Sequence, residues 1–281
     1  MERKTTLFLI NDETDDAAIS LWAEAAAKDE THLACMLLGI TPALPVYAYG
    51  VSPMGGVAMP ENWNSVMEDA RNSQMARVQE IEALLSKHGA PGSVQSILAA
   101  ASDLRHHIAK SARVADVAAV APNLHQTPDL FKEAAYGVLF ESPVGLVINA
   151  TAGQAAKRIF IAWDSSQPAA KAVHAALADL VKADEVIIAC FDPAANRFQD
   201  GADPGTDIAA WLSHHGCKVT VSQYPSGGHA ISRCIQDRAR EQGADLVVMG
   251  AYGHARMIQT VFGGTTKAMM NQTDLAVLLA H

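Results

Sequence analysis

Short apolar runs alternate with stretches of helical composition along the whole chain, and this alternation narrows the open folds more than any other feature. From Lys157 onward strand-like runs fall at 157–163, 185–191, 218–224, 245–249 and 275–279, separated by helical stretches such as Ala169–Lys182, Ala209–His215 and Ala230–Gln242. Strands that read as continuous apolar runs are buried on both faces, so the pattern predicts a five-stranded parallel sheet with helices on each side. The first half follows the same plan, with runs at 5–10, 32–38, 93–98, 116–120 and 144–148. The fold class expected is therefore α/β, with two tandem doubly wound, Rossmann-like domains.

Local alignments support the repeat. Leu7-Phe8-Leu9-Ile10-Asn11-Asp12 matches Ile159-Phe160-Ile161-Ala162-Trp163-Asp164, Ala34-Cys35 matches Ala189-Cys190, and Ala115-Asp116-Val117-Ala118-Ala119-Val120 matches Ala244-Asp245-Leu246-Val247-Val248-Met249. The short polar stretch at Asn149–Lys157 marks the boundary, giving domains at 1–150 and 157–281, each of modest α/β size. With 281 residues, 49% of them hydrophobic, two such cores can be filled. No apolar run is long enough to span a bilayer, and Met1-Glu2-Arg3-Lys4-Thr5-Thr6 passes directly into a strand, which points to a cytoplasmic protein without membrane contact. Cys35, Cys190, Cys217 and Cys234 lack CxxC spacing and read as buried thiols. A formal charge of -9 without Lys/Arg clusters argues against nucleic acid as partner, yet leaves a single nucleotide open.

Glycines set the two copies apart. After the fourth strand of the second copy come Gly250, Gly253, Gly263 and Gly264, followed by Thr265, Thr266 and a helix reaching about Gln272. Glycine lets backbone approach an anion, and the free N–H groups of a helix start point at it. The first copy has Ala121 and Leu124 where the second has Gly250 and Gly253. It carries instead a Pro/Gly/aromatic segment at 41–62, too long for an ordinary connection and read as a lid, an interface arm or disorder, before a long helix at about Trp63–His88.

Gly250-x2-Gly253-x9-Gly263 resembles the G-x2-G-x9-G-[ST] loop of nucleotide-binding universal stress proteins, and the whole chain resembles a tandem member of that family. Gly264 stands where the family has Ser or Thr, with Thr265 one place later. The resemblance implies a strand order of 3-2-1-4-5 in each domain, ATP or another adenine nucleotide as ligand with Mg²⁺ as an optional companion, and an acidic residue after the first strand, here Asp164, at the adenine or ribose end. It also implies that the two domains pack as an intramolecular pseudo-dimer with their last strands at the seam; a further homodimer is left open. The amides at Gly250, Gly253, Gly263 and Gly264 would cradle phosphate, the hydroxyls of Thr265 and Thr266 would donate to it, and Arg256 would offset its charge.

Each residue has a plainer role beside this one. The glycines can be loop glycines, Asp164 can cap the next helix as part of Asp164-Ser165-Ser166, either threonine can be a cap, and His254 and Arg256 can stay solvated. His106-His107 and His214-His215 are neighbours on helices and do not face each other, so no metal is expected there. Ser226-Gly227-Gly228-His229 resembles the SGGxDS loop of ATP pyrophosphatases, but it follows the third strand and lacks the Asp, so it reads as a turn and helix start. No GxxxxGK[ST], GxGxxG or catalytic base accompanies the glycines. Three functions stay open: a nucleotide-binding stress sensor or regulator, a slow ATP hydrolase or nucleotidyl transferase, and a ligand-free interaction module.

Overall fold

The computed structural model describes residues 4–42, 62–193, 203–252 and 264–281. The apolar runs form ten strands: β1 Thr5–Ile10, β2 His32–Ile40, β3 Gly92–Ala99, β4 Val117–Val120 and β5 Gly145–Ile148, then β6 Arg158–Trp163, β7 Glu185–Phe191, β8 Val219–Tyr224, β9 Leu246–Gly250 and β10 Val277–Ala280. Helices α1 Asp16–Lys28, α2 Trp63–Lys87, α3 Ala101–Ala112 and α4 Pro128–Glu141 belong to the first half. Helices α5 Gln167–Leu180, α6 Thr206–His214, α7 Ile231–Glu241 and α8 Gly264–Asn271 belong to the second.

All ten strands join one sheet in the order β3-β2-β1-β4-β5-β10-β9-β6-β7-β8. Each half keeps the order 3-2-1-4-5 with parallel neighbours throughout. The halves meet where β5 and β10 pair antiparallel, Leu146 opposite Leu279 and Ile148 opposite Val277. All four β10 residues are buried, because helices cover both faces of the sheet there. The antiparallel join also turns the half-sheets end for end. Carboxyl ends of β1–β5 therefore lie along one edge of the sheet, and those of β6–β10 along the opposite edge.

Register corrects two of the sequence alignments. Thr6 pairs with Val117 and Ile159 with Leu246. Asp116 accepts from the Thr5 N–H as Asp245 accepts from those of Lys157 and Arg158. These equivalences keep Ala121 at the place of Gly250 but shift β1 against β6 by one residue, which puts Asn11, and not Asp12, at the place of Asp164. The facing side chains agree, since a one-residue slip would turn every side chain to the other face. Phe8 stacks on Trp22 of α1, and its counterpart under this register, Ile161, packs in the cluster beneath α5. The Ala34-Cys35 match to Ala189-Cys190 is not structural: Cys35 pairs with Phe8 in mid-strand, whereas Cys190 pairs with Trp163 at the strand end. Similar local composition had stood in for similar position.

Cys35, Cys190 and Cys217 are buried and Cys234 is half-buried. Burial pushes the Cys35 thiol up to about 12, so it behaves as a small apolar side chain at neutral pH. Residues 43–61 of the long segment lie outside the described residues. Among those described, α2 is the longest helix, and no helix is long and apolar enough to cross a membrane.

Cutting a fully buried side chain at the seam should test its weight. Leu279→Ala is expected to lower unfolding stability by about 2–5 kcal/mol, read from urea denaturation followed by circular dichroism.

Candidate functional site

Strands β6 and β9 are neighbours, with Ala162 opposite Met249, so the residues that follow each strand emerge side by side at the point where the winding reverses. Asp164 follows β6 and Gly250 ends β9, which brings together two residues far apart in sequence. Asp164 is exposed, and its Oδ1 accepts the Ser166 N–H at 3.1 Å. The helix cap expected of it falls to Ser166, whose Oγ accepts the Ala169 N–H at 3.2 Å at the start of α5. Asp164 thus shapes the turn, and Ser166 caps the helix.

Gly250 has a structural reason to be glycine. A Cβ there would stand 2.5 Å from the Ala169 nitrogen and 2.8 Å from the Pro168 carbonyl carbon, both backbone atoms in the first turn of α5. The missing side chain lets the amino end of α5 press against the end of β9. Gly264 differs: a Cβ there would meet nothing within 4 Å, so a serine would fit.

Thr265 and Thr266 separate at the start of α8. Thr265 is half-buried, whereas Thr266 is 4% exposed and its Oγ1 accepts the Tyr252 N–H at 3.1 Å. Thr266 thus ties the loop's entry to the helix. Gly253, His254, Arg256 and Gly263 lie outside the described residues.

Three residues stand out, of which the sequence analysis named only Ser165, as part of a helix-start signal. Ser165, Asp192 and Tyr252 adopt left-handed φ angles of +56°, +44° and +62°. They follow β6, β7 and β9, within two residues of each strand's end. Among the described residues the matching ends of β1, β2 and β4 have no positive φ. Such conformations cost energy in non-glycine residues and gather where a backbone must be aimed for a task. The Ser165 Oγ is buried and has no hydrogen-bond partner among the described residues. Asp192 accepts the Ser226 N–H at 2.9 Å, which ties the Ser226-Gly227-Gly228 turn to the same edge of the sheet. The Ser226 hydroxyl and N–H hold the Asp192 carboxyl below its usual range. Sequence offered no signal for these, since left-handed Ser, Asp and Tyr look like any others.

Tyr252 also connects the loop to the first half. Its ring lies 4.9 Å from that of Phe140 in α4, which in turn is 4.6 Å from the His281 ring. His281 Nδ1 is 2.8 Å from the Ala251 carbonyl oxygen. Burial raises the Tyr252 hydroxyl above its ordinary value, with nearby Tyr136 adding to the shift.

The first half closes the equivalent place. Asn11, 4% exposed, occupies the Asp164 position; its Oδ1 accepts from Thr14 Oγ1 at 3.0 Å and from Asn123 Nδ2 at 2.6 Å. Where the glycine loop would begin, a 3₁₀ helix at Pro122–Gln126 buries Leu124. Among the described residues no cluster of three or more His, Cys, Asp or Glu side chains could hold a metal ion.

Solved structures with the same architecture cover nearly the whole chain. A universal stress protein from Archaeoglobus fulgidus DSM 4304 superposes with a TM-score of 0.66 at 15% identity, over 98% of this chain and 95% of that one. The chain has the universal stress protein fold. A putative universal stress protein from Pseudomonas aeruginosa UCBPP-PA14 gives a TM-score of 0.55 at 14% identity, over 99% of this chain and 93% of that one. A functionally unknown protein from Pseudomonas aeruginosa PAO1 gives 0.54 at 12% identity, over 99% and 92%. No protein-family model matches the sequence, and no curated protein matches it. With the universal stress protein fold present twice, left-handed residues after the first, second and fourth strands occur on one copy among the described residues.

Two measurements test these local contacts. Thr266→Val keeps the shape but removes the hydroxyl that accepts from the part-buried Tyr252 N–H, and should destabilise by about 1 kcal/mol in urea denaturation. Because the Asp192 pKa is depressed in the folded chain, its contact with Ser226 should hold above the unfolded carboxylate value of about 3.9 and fail as pH falls through the folded value. The Ser226 amide resonance, followed by NMR, should therefore titrate below that unfolded value.

Proposed function

We propose that the second half, residues 157–281, binds ATP or a related adenine nucleotide, with Mg²⁺ accompanying the phosphates, and that occupancy makes the chain a stress-response sensor or regulatory binding protein. The observation that carries this reading is the spacing Gly250-x2-Gly253-x9-Gly263, which begins at the end of β9 beside Asp164 at the end of β6. In this reading Asp164 accepts from the ribose or the adenine amine. The amides at Gly250, Gly253, Gly263 and Gly264 cradle phosphate, with Thr265 and the start of α8 completing the cradle and Arg256 offsetting charge. Thr266 acts from behind, by holding the Tyr252 N–H.

Residues 1–150 then form a degenerate copy without a phosphate loop, packed on the second as a pseudo-dimer through β5 and β10. The absence of a membrane-spanning helix among the described residues agrees with work in the cytoplasm. Dedicated catalysis is not part of the reading.

Equilibrium binding of labelled ATP tests it. Wild type should bind, and Gly253→Val combined with Asp164→Ala should weaken binding at least tenfold. Absence of binding by wild type overturns the proposal, and efficient multiple turnover would replace it with an ATP hydrolase. Gly264→Ser, which meets no obstruction, should tighten binding several-fold, as one added hydrogen bond of about 1 kcal/mol allows.

A further inference from the structure

The join between the halves leaves a cavity of about 420 Å³ on one face of the sheet. Phe8 pairs with Ala119, Ala119 with Val147, Val147 with Leu278 and Leu278 with Val248, so these side chains share a face. Leu246, two residues before Val248, shares it too. On that face Phe8 stacks on Trp22 of α1, and Leu278 packs in the cluster beneath α5. Val147, alone of the four β5 residues, is not buried, which marks the seam between the two helices as the open part of this face. Trp22, Val147, Leu246 and Leu278 line the cavity there. Its volume falls within the range of about 300–1,000 Å³ usual for small-molecule sites.

The linker between the halves, residues 149–156, bounds the cavity along its whole length. Asn149 leaves β5 with a left-handed φ of +56°, and its Nδ2 donates to the carbonyls of Gln272 and Leu275 at 2.8 and 3.2 Å. Its amide is thus spent on holding the frame. Gly153 then meets α1 closely, since a Cβ there would stand 3.3 Å from the Ala25 Cβ. The glycine loop leaves the carboxyl end of β9, whereas this cavity opens at the amino ends of β9 and β10, with Leu246 and Ala276 in its lining.

The charge of the lining has one sign. Asp179, Asp245 and Asp274 line the cavity, and no Lys, Arg or His stands among the described residues that do so. Asp245 Oδ2 accepts from the Lys157 and Arg158 N–H groups at 2.9 Å, and Asp274 is paired with Arg240 at 2.7 Å. The Asp179 carboxylate has no hydrogen bond or ion pair among the described residues. It sits in the last turn of α5, where the unpaired carbonyls of a helix end add partial negative charge. A carboxylate accepts hydrogen bonds and attracts a cation, so an occupant must bring a positively charged donor to this end and an apolar body to the other.

We propose that the seam cavity is a binding site for a small organic amine, a flat apolar body that carries an ammonium group. The body lies between the Trp22 indole and the floor of Val147, Leu246 and Leu278, and the ammonium faces Asp179. Such a ligand touches both halves and the linker at once, and it is independent of nucleotide binding at the glycine loop.

Tryptamine is the probe and indole-3-acetate its control, since the two share a ring and differ in the sign of their charge; titration calorimetry on the full chain is the assay. Tryptamine should bind at least tenfold more tightly than indole-3-acetate. Thr151→Trp, on an exposed linker residue in the lining, should cost at least tenfold in tryptamine affinity with the circular dichroism spectrum unchanged. Asp179→Asn, which keeps the shape and removes the charge of an exposed residue, should weaken tryptamine several-fold and narrow its advantage over indole-3-acetate. No tryptamine binding, equal binding of the two compounds, or a tryptamine affinity unmoved by either substitution each overturns the proposal.

Discussion

The antiparallel pairing of β5 with β10 is the contact on which the rest of the molecule depends. Without it each half ends in a strand with an unpaired row of N–H and C=O groups, an edge that invites association with other chains. Pairing them fills both edges at once and makes a single ten-stranded sheet. It also fixes where things can be placed. The carboxyl ends of the two half-sheets face opposite ways. The same join brings the carboxyl end of α4, with Phe140, under Tyr252 of the second half. A loop entry of one repeat is thus supported by a helix of the other.

Much of this could be read in the sequence, because buried parallel strands announce themselves as apolar runs. All ten runs lie within two residues of an observed strand at both ends. The order within each half came through the resemblance, since strand order is a property of pairing and leaves no periodic mark. Alignment between repeats was less legible. Alanine-rich and Val/Ile-rich strands match one another in several registers, and the strand pairings with the matching hydrogen bonds of Asp116 and Asp245 show which is right. In the site, Asp164 and the glycines were visible as types. The division of labour between Asp164, Ser166 and Thr266 was not, because capping, turn formation and ligand binding ask for the same small polar residues.

Gly250 shows how two explanations for one residue can both hold. Its bare Cα admits the first turn of α5. That close approach carries the amino end of α5 against the end of β9, where the helix's partial positive charge adds to that of the α8 start. The packing reason at this position is thus compatible with the anion site proposed above. At Gly264 no packing reason applies, since nothing crowds it.

The difference between the halves lies in how each satisfies the polar groups at its winding reversal. In the first, Asn11, Thr14 and Asn123 close a hydrogen-bonded set within the chain, and the backbone there needs no left-handed residue among those described. In the second, Ser165, Asp192 and Tyr252 hold left-handed backbone around an exposed Asp164 and a buried serine hydroxyl without a partner among the described residues. A left-handed non-glycine residue costs on the order of 1 kcal/mol or more, and three at one edge persist only because surrounding contacts hold them. The Thr266 bond to the Tyr252 N–H and the packing of Phe140 on the Tyr252 ring are two such contacts. One of them comes from the first half. The self-satisfied copy thus contributes to the unsatisfied one, which gives a physical reason for both repeats to be held in a single chain.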